Sequence, residues 1–162
     1  MVWNSATISQ ASKTDARLMT HVTQARACIE EWNDDPKQSD AFLDYQCHSI
    51  CIALASIIPG LTVVHGCYCG LKQKWHKGKF VDLAWTAKDH SWLTTPNGNI
   101  IDPHPVGIIA TEPLLVIGRG KNVAFGAGLY FKGHIQKRKY CNKKVAQQVK
   151  VLITFLESRR AK

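Results

Sequence analysis

A thiol, an imidazole and a carboxylate follow one another along the chain at Cys47, His90 and Asp102, and the last two flank the stretch HSWLTTPNGNIIDP, His90 to Pro103. A carboxylate held against one imidazole nitrogen fixes the tautomer and stabilises the charged ring. The other nitrogen is then left to take a proton from a nucleophile. The nucleophilic form of cysteine is the thiolate, so a base beside Cys47 would convert an ordinary side chain into a reactive one.

The meeting of His90 with Asp102 depends on one turn. Thr95-Pro96-Asn97-Gly98-Asn99 suits a three-residue hairpin loop, with Pro opening a type I turn and Gly taking the left-handed position of a bulge. That loop pairs Thr95 with Asn99 and sets Trp92 opposite Asp102. His90 becomes the diagonal neighbour of Asp102, about 7–8 Å away between backbones, a gap side chains can close. A two-residue loop on Asn97-Gly98 would instead carry Asp102 to the opposite face, because a slip of one residue inverts every side chain.

Cys47 falls where a helix should begin. The run CHSICIALASII is apolar nearly all round, opens between Asp44 and Cys47, and is stopped by Pro59-Gly60. Such a helix belongs in the centre of the fold. At its start the helix dipole and the first amide N–H groups favour a thiolate and can stabilise an oxyanion. Cys51, one turn further in, loses most of that benefit and is expected to pack.

A cysteine opening a helix, a strand beginning His-x-Trp and an Asp-Pro on the next strand, here YQCHSICIALA, HSWL and IIDP, resemble the transglutaminase-like branch of the papain-like cysteine enzymes. The resemblance spans Gln46 to Pro103. It implies Cys47 as nucleophile, His90 as base and Asp102 as the acid that orients the ring, with Trp92 packed beside the histidine. It also implies a thioester acyl-enzyme, as in peptidases, amidases and transglutaminases. His48 follows the cysteine where the family often has an aromatic or small residue. The family's upstream glutamine has no counterpart, so Gln46 and Tyr45 are the candidates for a side-chain oxyanion donor.

The elements that must position these residues are legible from periodicity. Leu18, Val22, Ala25, Ile29 and Trp32 mark one face of an amphipathic helix that ends at NDDP, with Ser12 and Asp15 resembling a capping box. After the central helix come short β-branched and aromatic runs: LTVVHGCYC, KFVDLAWTA, HSWLTT, NIID, PLLVIG and GLYFKG. They predict an antiparallel sheet of four to six strands. Val145, Val149, Leu152, Ile153 and Leu156 line a final helix. The order helix, helix, strands, helix predicts an α+β fold, a papain-like domain whose central helix packs on the sheet between N- and C-terminal helices. At 162 residues a single domain over 1–162 is expected.

Charge and cysteine usage supply the rival readings. The segment 132–162 holds ten Lys and Arg against Glu157 alone, so it carries the whole net charge of +9 while the rest balances. A basic tail of this kind fits nucleic acid or an acidic protein, and a non-catalytic basic binding module is the alternative to an enzyme. The basic stretch LKQKWHKGK reads as a hairpin tip or a substrate contact. Six irregularly spaced cysteines fit free thiols better than a disulfide framework. Cys47, Cys51, Cys67 and Cys69 together could hold a structural zinc, although their spacing is not that of zinc knuckles. His65, His76, His104 and His134, with Trp75 and Trp85, read as packing or surface residues. No dinucleotide or phosphate-loop pattern occurs, and VIGRGKNVAFGAG reads as turns, so no cofactor is expected. The N-terminus lacks the pattern of a signal peptide and the longest apolar run is too short to span a bilayer, so a soluble, cytoplasmic protein is expected. The family resemblance implies a peptide, protein or amide-containing substrate.

Overall fold

Helix α1, Leu18–Asn33, buries the five positions its periodicity marks, Leu18, Val22, Ala25, Ile29 and Trp32. The chain is described here by a computed structural model covering residues 15–33, 46–103, 115–119, 122–125, 128–131 and 137–161, with side chains at 15–32, 46–68, 77–78, 89–103 and 137–161. The start of α1 differs from the expected capping box. The helix begins three residues beyond Asp15, whose carbonyl accepts from the Leu18 amide at 3.0 Å. The Asp15 carboxylate is buried and accepts from Thr95 Oγ1 at 2.6 Å and Asn99 Nδ2 at 2.9 Å. Burial alone would raise this carboxyl, but the hydrogen bonds from Thr95, Asn99, Asn97 and the Arg17 amide outweigh it and lower it. Ser12 lies outside the described residues.

The central helix, α2, spans Cys47–Ile57 and buries His48, Ser49, Ile50, Cys51, Ala53 and Leu54. It ends as Pro59 and Gly60 turn the chain away, Gly60 taking φ +90°. Helix α2 packs against the long C-terminal helix α4, Lys143–Arg160, and against the sheet. Asn142 caps α4 by accepting from the Val145 amide at 3.0 Å. Val145, Leu152 and Leu156 are buried along the predicted stripe. Trp32 donates Nε1–H to the Leu152 carbonyl at 3.1 Å, which ties α1 to α4. A short helix, α3, Lys137–Tyr140, precedes α4.

Among the described residues six strands form one antiparallel sheet: β1 Thr62–His76, β2 Lys79–Thr94, β3 Asn99–Asp102, β4 Leu115–Arg119, β5 Asn122–Phe125 and β6 Gly128–Phe131, in the order β4-β3-β2-β1-β6-β5. The architecture is therefore α+β. Two sequence expectations are corrected. KFVDLAWTA and HSWLTT form one continuous strand, and the stretch read as turns, VIGRGKNVAFGAG, supplies β5 and parts of β4 and β6. LKQKWHKGK is the tip of the β1–β2 hairpin, turning at Lys77 and Gly78.

Leu93 pairs with Ile101 and Thr94 with Ile100. The Thr95 amide donates to the Asn99 carbonyl at 2.9 Å, and the Gly98 amide closes the turn onto Thr95 at 2.8 Å, with Gly98 at φ +80°. This is the three-residue loop with a left-handed glycine. Continued one step outward, its register sets Trp92 opposite Asp102 and His90 on the diagonal. No described helix is long and apolar enough to cross a membrane.

Candidate active site

The start of α2 is held in place from α4. Gln46, the residue before the helix, is extended and its side chain makes no cap. The Gln148 amide oxygen accepts instead from the Gln46 amide at 3.3 Å and from Ser49 Oγ at 2.6 Å. The Gln46 side-chain oxygen is buried without a hydrogen-bond partner. These contacts fix where Cys47 projects. The Ser49 and Ile50 amides donate to the Gln46 carbonyl at 2.9 and 3.2 Å, and the amides of Cys47 and His48 have no acceptor within the helix. Tyr45 lies outside the described residues.

His90 and Asp102 meet as the turn predicts. Nε2 of His90 lies 2.7 Å from Asp102 Oδ2, with side chains 1% and 0% exposed. Trp92 is buried beside the ring, at 6.2 Å between centroids and an angle of 34°. With Nε2 committed to the carboxylate, Nδ1 is the nitrogen available to the Cys47 thiol. Burial would push the Cys47 thiol up from 9.0, but hydrogen bonds from His48 and His90 and the charges of both rings outweigh it and hold the thiol at about 6. Burial would likewise depress His90; the charge and hydrogen bond of Asp102, followed by those of Cys47, push it up to about 10. Sulfur and ring therefore favour a thiolate–imidazolium pair at neutral pH.

Four further side chains join this group, and the sequence reading did not place them in it. His48 Nδ1 lies 3.8 Å from Cys47 Sγ and 2.6 Å from Ser91 Oγ. His65 Nδ1 also lies 2.6 Å from Ser91 Oγ. The Tyr140 ring stacks on His65 at 3.7 Å and 11°. The signal for the His65–Ser91 contact is their cross-strand pairing. It becomes visible only once β2 is recognised as a single strand.

The remaining thiols divide by environment. Cys51 is fully buried, donates to the Ser91 carbonyl at 3.2 Å, and is raised by burial and then by the charges of Asp102 and Cys47. It packs, as expected. Cys67 lies 4.0 Å from Asp89 Oδ1, and the Cys69 side chain lies outside those described. Cys28, Cys47, Cys51, Cys67 and Cys141 are thiols, outside any disulfide. Among the described residues no three His, Cys, Asp or Glu side chains form a group able to hold a metal. The side chains of His76, Trp75 and Trp85 lie outside those described, as do residues His104 and His134. No protein-family model, curated protein or solved structure matches this chain.

Proposed function

We propose that the chain is a cysteine-dependent hydrolase or acyltransferase of the papain-like, transglutaminase-like type, acting on a peptide, protein or other amide-containing substrate. The observation that carries the reading is a thiol at the start of the central helix, lowered by His48 and by His90, whose far nitrogen lies 2.7 Å from a buried carboxylate. In this mechanism Cys47 Sγ attacks the substrate carbonyl and forms the carbon–sulfur bond. The oxyanion is stabilised by the amides of the first residues of α2, Cys47 and His48, with Gln46 beside them. His90 returns its proton to the leaving amine as the carbon–nitrogen bond breaks, which leaves a thioester on Cys47. Water or an amine, deprotonated by His90, then attacks the thioester, and the thiolate departs to recover its imidazolium partner. Asp102 keeps the ring oriented throughout. The free thiols suit a reducing compartment, and on that ground we place the protein in the cytoplasm.

Alkylation with iodoacetamide across a pH series, mapped by mass spectrometry, tests the assignment. Cys47 is expected to react with a midpoint near 6 and to lose that midpoint in His90→Ala. Equal reactivity of Cys47 and the exposed Cys141 at neutral pH would falsify it.

A second reading, a basic binding module, is favoured by one observation. Lys143 and Lys144 are exposed in the first turn of α4. The positive end of a helix dipole disfavours cations there, so their presence calls for a reason other than stability of the fold, such as an acidic protein or nucleic acid.

A further inference from the structure

Ser91 carries one hydroxyl proton, yet its oxygen lies 2.6 Å from two imidazole nitrogens, His48 Nδ1 and His65 Nδ1. The hydroxyl can donate to one of them only, so the other must donate an N–H to the oxygen. The sulfur decides between the two polarities. A thiolate is an acceptor alone, and His48 Nδ1 at 3.8 Å can serve it only with a proton on that nitrogen. That proton is shared between the sulfur and Ser91 Oγ, which sends the hydroxyl proton on to His65 Nδ1. His65 is suited to accept: burial, then the neighbouring His48, hold its ring down to about 4, so it is neutral at pH 7. The Tyr140 ring covers His65 and lies 6.4 Å from His48, which shields these bonds from water.

We propose that His48, Ser91 and His65 form a second hydrogen-bond path to the reactive sulfur, fixing His48 as an N–H donor to Cys47 and stabilising the thiolate in addition to the His90–Asp102 pair. His48 touches the reacting atom; Ser91 and His65 are positioning residues that act through it. The inference rests on the reading of Cys47 as nucleophile. The groups around the sulfur are His48 and Cys51 on α2, His90 on β2 and Asp102 behind it on β3. The path itself meets His65 on β1 and Tyr140 on α3, with the surface pair Lys139–Asp89 at 3.6 Å nearby and neutral Gln148 on α4.

The test is the pH midpoint of Cys47 alkylation by iodoacetamide in the full chain. Ser91→Ala and His65→Leu should each raise the midpoint by about one pH unit, a tenfold loss of thiolate below it. Ser91→Thr, which keeps the hydroxyl, should retain the wild-type midpoint. Unchanged midpoints in both Ser91→Ala and His65→Leu, or an equal rise in Ser91→Thr, overturn the path. A wild-type midpoint at the ordinary thiol value overturns the nucleophile reading itself, so the two failures are distinguishable. Lack of reaction at Cys51 in every variant reports that the core is intact.

Discussion

Cys47 and His90 share one proton, and folding moves it from the sulfur to the ring. The thiol is held at about 6 instead of 9.0, so its stabilisation is present above 9.0 and lost as pH falls through about 6. The ring is held at about 10 instead of 6.5, so its stabilisation is present below 6.5 and lost as pH rises through about 10. Between 6.5 and 9.0 the folded and unfolded pair bind the same number of protons, and their opposing slopes cancel. Cys47→Ala removes one slope and leaves His90 on Asp102. Relative to wild type, that variant should lose stability as pH rises through this window, by up to about 1.4 kcal/mol per pH unit. Urea unfolding at a series of pH values checks it, and parallel profiles for the two proteins would refute an imidazolium held by Asp102. At this scale Cys47, His90 and Asp102 were readable because helix-start and turn chemistry are local. His48 and His65 were not, since their partner Ser91 is set by a pairing between β1 and β2.

The turn at Pro96–Gly98 is the element on which the pairing of His90 with Asp102 depends. It is pinned from a third direction, because Asp15 binds both Thr95 and Asn99. Deleting Asn97 shortens the loop by one residue and should slip β3 so that Asp102 turns away from His90. The expected result is a Cys47 alkylation midpoint moved up toward that of ordinary thiols, with helical circular dichroism retained. A wild-type midpoint in the deletion would show that the carboxylate reaches the ring without this register. The helices were legible because their apolar spacing and their stops at NDDP and Pro59-Gly60 agree. The strands were less so. Lys88-Asp89 reads as a break between two runs, but it lies within β2, where Tyr68 pairs with Lys88 and Cys67 with Asp89. Gln148 escaped notice for a related reason: on a helix surface it looks like a solvated residue, and only the docking of α4 brings it to the start of α2.

Over the whole molecule the charge is divided as the sequence indicates, with the net +9 confined to the C-terminal segment. Lys143→Glu with Lys144→Glu reverses two charges at the positive end of α4. The double variant should gain about 0.5–1 kcal/mol per position in unfolding free energy while eluting from a sulfated-polysaccharide resin at lower salt. Unchanged elution would remove these lysines from any anion-binding role. The division of the sheet has a different consequence. Among the described residues β3 pairs with β2 at Leu93 and Thr94, and β6 pairs with β1 from Cys67 to Cys69. Beyond those points, among the described residues, β1 and β2 pair with each other out to His76 and Lys79, and a strand edge without a neighbour is a template for pairing with another chain. Lys72, Lys74, Lys77 and Lys79 stand along that hairpin. Like charges on facing copies repel at close range, so a hairpin tip rich in lysine disfavours edge-to-edge pairing between copies.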